Sequence, residues 1–563
     1  DGNVVAFTHN KQDGKVYVFD FTVKRPSTST ELLTSKTFKE IVDNYIYEQK
    51  KKQTDVYEFI KLNFGNNQSE KLTNLCQLLL KTSYIELQKS FEYLSNKQVL
   101  LKIADGLYDQ WRKNQRYVLL EDSLTNDRYE LLEAIDRFSR LVISTYRDVY
   151  ENILGTSQRI YRELPSGANA GFLITKTTFD LPNELSAFNN SFYIKSMMIK
   201  PPFLVHTKSN TRKGVFKEKN NPITKIDSNN YLSIGVKIGG SLGLCYISKK
   251  YLDYVIGIGN LFELATPDEA NKEKPEFYMI FGYEDEHIKE CYYYKLNDGT
   301  YVGVCPDTPE IDYFGYVKKM ILTLHNLNRI NNNELPIHGA GIKIKKTDGT
   351  SIVFAILGDS GAGKSETLEA LKSLNYDEIA DVVTLFDDMG TMVNINGKLY
   401  IKGTETGAFV RLDDLDKSYS IKSIDRAIYF NPESINSRLV IPMSTYLESS
   451  TLYPIDAFLL ADNYSEGETL IKYTDKEKAI ADFIEGKRMT MQTTSEKGIV
   501  STFFANPFGP VQEEEKTRKI IEPFFEILYK TNVKVLRIRT RLSYERKEGP
   551  EKAAKEIYNE LIK

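Results

Sequence analysis

The stretch ILGDSGAGKSETLEAL (residues 356–371) decides how this chain is read. Gly358, Gly363, Lys364 and Ser365 satisfy the pattern G-x-x-x-x-G-K-[ST] without a mismatch. Glycines at 358, 361 and 363 permit positive φ, so successive N–H groups can turn toward one anion. Lys364 adds a mobile positive charge, and the Ser365 hydroxyl can reach a phosphate-bound magnesium ion. The candidate phosphate cradle is Gly358, Asp359, Ser360, Gly361, Ala362, Gly363, Lys364, Ser365 and Glu366. SIVFAIL before it reads as a buried parallel strand, and SETLEALKSL after it as a helix whose N-terminal dipole faces the phosphates. Glu366 in the first helical turn favours that dipole and disfavours a further anionic group beside it.

Outward from the loop, the 563 residues suggest about three domains, or two large ones. Hydrophobic residues at 41% and charged residues at 27% describe a soluble globular chain with material for a sizeable core. A net charge of −3 gives no reason to expect nucleic acid or an anionic membrane as partner. No apolar run approaches the ~20 residues that span a bilayer. The opening DGNVVAFTHN lacks a signal segment and an initiator Met, so the expectation is a trimmed chain or a fragment. Cys76, Cys245, Cys291 and Cys305 are dispersed and form no CxxC pair, as free thiols of a reducing cytoplasm would be.

Three regions are expected. Residues 1–155 are mainly helical, because TFKEIVDNYIYEQ, NLCQLLLKTSYIELQKSFEYL and RYELLEAIDRFSRLVISTYRDVYENIL repeat apolar residues every three or four positions. The run KKK at 50–52 reads as a solvated helix end, and the region's role as packing or oligomer contact. Residues 156–330 read as mixed strands and short helices, and residues 331–563 as an α/β domain carrying the loop.

Three further segments narrow the chemistry. IDYFGYVKKMIL places Lys318 and Lys319 side by side on what reads as an amphipathic helix. LPIHGAGIKI sets His338 beside two glycines just before the loop strand. TLFDDMGTMV puts Asp387 and Asp388 after an apolar strand, where a magnesium-coordinating acid belongs.

In this order the motifs resemble those of phosphoenolpyruvate carboxykinases: a Y-x-G-x-x-K-K stretch (Tyr313, Gly315, Lys318, Lys319), then His338, the phosphate loop, and the Asp387–Asp388 pair. NSRLVIPM (436–443) is similar to the family's N-T-R-x-x-Y-P-I segment and gives Arg438. IDAFLLADNY (455–464) and GKRMTMQTTSEKGIVSTFFANPFGP (486–510) continue the match, which covers roughly residues 275–563. The resemblance implies a two-lobed α/β carboxykinase fold, with a P-loop C-terminal domain and a helical N-terminal region. It implies that Lys319, His338 and Asp388 hold Mn2+, and that Lys318, Lys364, Arg438 and Asp387 act in catalysis, with Ser365 on Mg2+. Tyr313 and Gly315 would contact substrate. A dicarboxylate also needs an arginine clamp, and GTSQRIYRELPSGANAG (155–171) offers Arg159 and Arg162 on a glycine-bearing loop.

The phosphoryl donor is read from the loop and the C-terminus. GDSGAGKSE resembles the loops of HPr kinase/phosphorylase and of pyrophosphate-dependent carboxykinases rather than those of ATP- and GTP-using ones. VKVLRIRTRLSYERKEGP (533–550) stands where ATP-using relatives carry an adenine loop. It is basic, with Arg537, Arg539 and Arg541 alternating as on one strand face. The expected reaction interconverts oxaloacetate and pyrophosphate with phosphoenolpyruvate, phosphate and CO2 in the cytoplasm, with neither nucleic acid nor membrane as partner. The alternatives are an ATP- or GTP-dependent carboxykinase, an HPr kinase-like protein kinase, or a non-catalytic regulatory subunit.

Overall fold

A computed structural model describes residues 5–11, 14–122, 128–415, 424–491 and 497–563. The opening residues 1–4, and residues 492–496 of the 486–510 stretch, lie outside the described residues. The chain is mixed α/β, 39% helical and 28% strand, with mixed sheets. It divides into two compact units, one of residues 1–177 and 192–206, the other of residues 178–191 and 207–563. The break expected near 155 therefore falls inside the first unit, and that expected near 330 inside the second. No described helix is long and apolar enough to cross a membrane.

In the first unit, helices Lys36–Lys52, Asp55–Phe64, Gln68–Lys81, Lys97–Lys113 and Arg128–Leu154 follow the apolar spacing. Ser35 caps the first of these by accepting from the Phe38 N–H, and Lys50, Lys51 and Lys52 end it in solvent, where cations suit the dipole. The unit is less helical than expected. It also contributes five neighbouring strands of a larger sheet, in the order Val5–Lys11, Gly14–Asp20, Gln115–Glu121, Ala170–Lys176, Phe192–Ile199. Its core joins Phe19, Trp111 and Phe138, with Phe19 edge-on to Phe138 at 5.2 Å between ring centroids.

The second unit holds the loop. Its main sheet runs Tyr453–Pro454, Lys398–Gly403, Ile379–Ile395, Leu335–Lys346, Ser351–Leu357, Ala457–Asp462, Lys534–Arg539, Leu470–Lys472. The loop strand Ser351–Leu357 is parallel to Ala457–Asp462 but antiparallel to Leu335–Lys346, so the expected parallel strand has one parallel neighbour only. Lys534–Arg539 is parallel to Ala457–Asp462 in turn. The carboxyl ends of these three parallel strands lie side by side, the crevice where open α/β sheets bind ligands.

Helix Phe314–Asn331 departs from expectation. It is buried nearly all round rather than amphipathic, with Lys318 only 2% exposed. The cause is its position, packed against both Phe277–Tyr283 and Tyr301–Pro306 of a second sheet and Leu335–Lys346 of the main one. That packing is why residue 330 is no boundary.

Candidate phosphate and metal site

The loop departs from Leu357 and closes into helix Lys364–Lys372, with Gly363 as its N-cap. Gly361 and Gly363 take φ of +80° and +97°, as the cradle requires. Gly358 is there for room instead: a Cβ on it would lie 2.7 Å from that of Ala362. Neighbouring strand ends brace the turn. Asn463 donates from Nδ2 to the Gly361 carbonyl at 2.9 Å, and the Thr540 hydroxyl donates to the Ala362 carbonyl at 2.6 Å. The Ser365 hydroxyl donates to Asp387 Oδ1 at 2.7 Å, which brings together the two groups expected around magnesium. Lys364 is buried at the same helix start. Glu366 is half-buried in the first turn.

The register of strands Leu335–Lys346 and Ile379–Ile395 opposes Gly339 to Asp388 and His338 to Met389. A Cβ on Gly339 would lie 2.0 Å from the Ile356 carbonyl oxygen, which explains the glycine beside His338. Asp388 has φ of +147°, a conformation a non-glycine residue adopts at a cost of about 1–3 kcal/mol.

On this frame Lys318, Lys319 and His338 converge on one carboxylate. Lys318 Nζ lies 2.7 Å from Asp388 Oδ2, Lys319 Nζ bonds the same oxygen, and His338 Nε2 is 2.9 Å from Oδ1. Burial resists the charge on Asp388, but Lys318 and Lys319 overcome it and hold the carboxyl well below its usual range. Burial also opposes the Lys318 ammonium, yet Asp388 and Glu405 raise its pKa. Lys319 goes the other way. Burial first, and Lys318 after it, bring it down to about 8 against the pull of Asp388. Like charges about 4 Å apart repel by roughly 4 kcal/mol at an effective dielectric near 20, so the two lysines do not share the carboxylate as equals.

His338 fits a cation ligand on its own evidence. Burial and then Lys364 lower its pKa below the usual 6.5, leaving it neutral at pH 7. Nδ1 lies 2.7 Å from the Ala505 carbonyl oxygen, which can only accept, so Nδ1 carries the proton. The Nε2 lone pair then faces a carboxylate oxygen, a repulsive contact that a cation between them would relieve. The set needs the amine: no group of three His, Cys, Asp or Glu side chains able to hold a metal occurs among the described residues. Amine, imidazole and carboxylate together suit a divalent transition ion better than magnesium.

Further side chains surround the cluster. Glu405 is 2% exposed; its Oε2 accepts from the Thr404 hydroxyl at 2.6 Å, while Oε1, 4.0 Å from Lys318 Nζ, has no hydrogen-bond partner among the described residues. Burial lifts its pKa to about 7. Asp359 links cluster and loop, its Oδ1 lying 3.6 Å from His338 Nδ1 while Oδ2 meets Arg488 Nε at 3.2 Å and accepts from Thr502 at 2.9 Å. Phe508 carries two cations over its ring, Lys319 at 4.4 Å and Arg212 at 4.9 Å. Phe409 carries Arg438 at 5.5 Å and Lys318 at 5.8 Å. Tyr313 sits amid Arg438, Arg212 and Lys318, its ring folded over Gly315, where a Cβ would lie 2.4 Å away.

The arginines expected as the carboxylate clamp and the phosphate loop fall in different units. Arg159 and Arg162 are exposed and belong to the first unit. Arg212, from KSNTRKG, is the arginine that reaches the cluster, and burial pushes its pKa down. Both loops are basic and carry glycine, so spacing alone could not rank them. Arg537, Arg539 and Arg541 are occupied. Arg537 pairs with Asp462, Arg539 donates to the Ser465 hydroxyl at 2.8 Å, and Arg541 to the Thr469 hydroxyl at 2.8 Å. Arg488, Glu405 and Asn463 had no signal beyond their residue types.

No protein-family model matches this chain, and no curated protein matches it either.

Proposed function

We propose that this protein is a phosphoenolpyruvate carboxykinase of the pyrophosphate-using type, with that family's two-lobed fold. The observation that carries the reading is the meeting of Lys319, His338 and Asp388 beside the phosphate loop. When bound, manganese on those three side chains and magnesium at Ser365 and Asp387 would supply Lewis-acid charge to the enolate and the donor phosphates.

The chain's own residues set the geometry. Arg212 and Tyr313 hold the carboxylates of oxaloacetate, and the bond to the departing carboxylate breaks to release CO2. The Lys318 ammonium, kept charged by Asp388 and Glu405, stabilises the negative charge left on the enolate oxygen. That oxygen attacks one phosphorus of pyrophosphate, the bridging P–O bond breaks, and phosphate leaves. Lys364 and Arg438 offset the charge on the transferring group. The burial of Lys319 and His338 keeps water away from the enolate, which would otherwise be protonated and lost as pyruvate.

A side-by-side assay of oxaloacetate with pyrophosphate, ATP or GTP tests the reading. Phosphoenolpyruvate should form with pyrophosphate and depend on manganese. Turnover with a nucleotide alone would replace the donor assignment, and no turnover with any donor would refute the carboxykinase.

A further inference from the structure

We infer that Asn431 and Thr207 form a latch that holds the Arg212 loop to the Arg438 segment, making the two arginines one substrate-positioning body. This rests on the carboxykinase reading above. Arg212 lies on an irregular loop, residues 207–214, where its guanidinium donates to the Gly214 carbonyl, so the position of the guanidinium is set by whatever fixes the loop as a whole. Arg438 opens strand Arg438–Pro442, after the turn that begins at Asn431.

Side-chain amides stitch the two segments together. The Thr207 N–H donates to Asn431 Oδ1 at 2.8 Å, and Asn431 Nδ2 donates back to the Thr207 hydroxyl at 2.7 Å. Asn210 Nδ2 donates to the Ile435 carbonyl at 2.9 Å, and Asn436 Nδ2 to the Asn210 carbonyl at 2.9 Å. The reciprocal Asn431–Thr207 pair is the buried one, with the two residues 7% and 2% exposed. Asn431 is also fitted by backbone, since its φ of +49° is one that asparagine tolerates better than most residues.

The loop's other side is anchored to the helix that carries the lysines. The Lys208 N–H donates to Asp312 Oδ2 at 3.1 Å, the Ser209 N–H to the Asp312 carbonyl at 3.1 Å, and the Lys213 N–H to the Tyr316 hydroxyl at 3.1 Å. Asp312 is itself fixed by the buried Tyr254 hydroxyl. Arg212 is thus clamped between helix Phe314–Asn331 and the Arg438 turn, and neither Asn431 nor Thr207 touches the phosphate loop in any bond described above. Arg438 keeps its own strand pairing with Arg411 and Phe430, so loosening the latch frees the Arg212 loop alone; it should weaken the grip on the carboxylate-bearing substrate and leave pyrophosphate alone.

Calorimetric titration of the full chain with phosphoenolpyruvate and, separately, pyrophosphate tests this. Asn431→Gly keeps the backbone freedom and deletes both latch bonds, Thr207→Val removes the hydroxyl, and Thr207→Ser restores it. We expect Kd for phosphoenolpyruvate to rise about ten-fold in Asn431→Gly and about three-fold in Thr207→Val. Thr207→Ser should match wild type, and Kd for pyrophosphate should stay within about two-fold throughout. Unchanged phosphoenolpyruvate affinity in the first two variants, or a parallel loss of both ligands, overturns the latch. Wild type that binds phosphoenolpyruvate through the latch but turns over no oxaloacetate sinks the carboxykinase and leaves the latch. Turnover with latch-insensitive binding does the reverse, and a wild type that binds no phosphoenolpyruvate sinks both.

Discussion

Two clusters of positive charge in the second unit make opposite use of it. Along strand Lys534–Arg539 and just beyond, Arg537, Arg539 and Arg541 each have a protein acceptor of their own. Around the phosphate loop, Lys318 and Lys319 crowd one carboxylate, Arg438 rests over Phe409, and Arg212, which donates to the neutral Gly214 carbonyl, rests over Phe508. The first arrangement is neutralised and its effect is on stability. The second leaves positive charge in excess of its acids, a condition that costs folding energy and is relieved by an anionic ligand. What separates a structural cation from a binding one is its partner rather than its spacing in the chain.

The sharpest break of this contrast is Lys364→Ala. It should lower phosphoenolpyruvate formation by about a thousand-fold or more, the scale of losing a preorganised charge at a transferring group, while Tm stays near wild type. An equal loss in Arg537→Ala would erase the distinction. Next, Arg212→Gln should raise the KM for oxaloacetate by about ten- to a hundred-fold, as loss of a charged hydrogen bond does. Arg159→Gln and Arg162→Gln should leave it unchanged, and kinetics on the three variants checks the choice of loop. On the structural side, Arg537→Ala removes the charged partner of the buried Asp462 carboxylate, leaving it to the Tyr464 and Ser465 donors, and should cost about 3 kcal/mol in urea unfolding, with the KM for pyrophosphate unaltered.

The smallest effect concerns His325, a buried histidine of the same helix as the lysines. Burial, and then Arg329, take its pKa down to about 3. The unfolded chain therefore binds a proton between roughly pH 6.5 and 3 that the folded chain does not. Stability from this group is complete above that window and falls with acid by at most about 1.4 kcal/mol per pH unit. Thermal unfolding of His325→Gln should show a shallower decline from pH 6 to 4 than wild type.

Much of the site was legible before any coordinates. The glycine pattern at 358–363 and the lysine pair, His338 and Asp387–Asp388 in order around it pointed to one cluster, because these are chemical requirements written as residue types. Burial was less legible. Helix Phe314–Asn331 has lysines on an apolar background and reads as amphipathic, but sheets on both sides bury the lysines as well. The strand Gln115–Glu121 hid between two strong helical patterns, since a run as short as RYVLL suits either structure. Arg212 and Arg159 could not be told apart, because their difference lies in side chains hundreds of residues away, Phe508 among them.

The central claim is that an amine, an imidazole and a carboxylate gather one transition ion. Pulsed electron paramagnetic resonance on the Mn2+-loaded protein tests it most directly. The account predicts nitrogen couplings from both imidazole and amine, the first vanishing in His338→Ala and the second in Lys319→Ala. A spectrum with water and carboxylate couplings alone, unchanged in both variants, would contradict it.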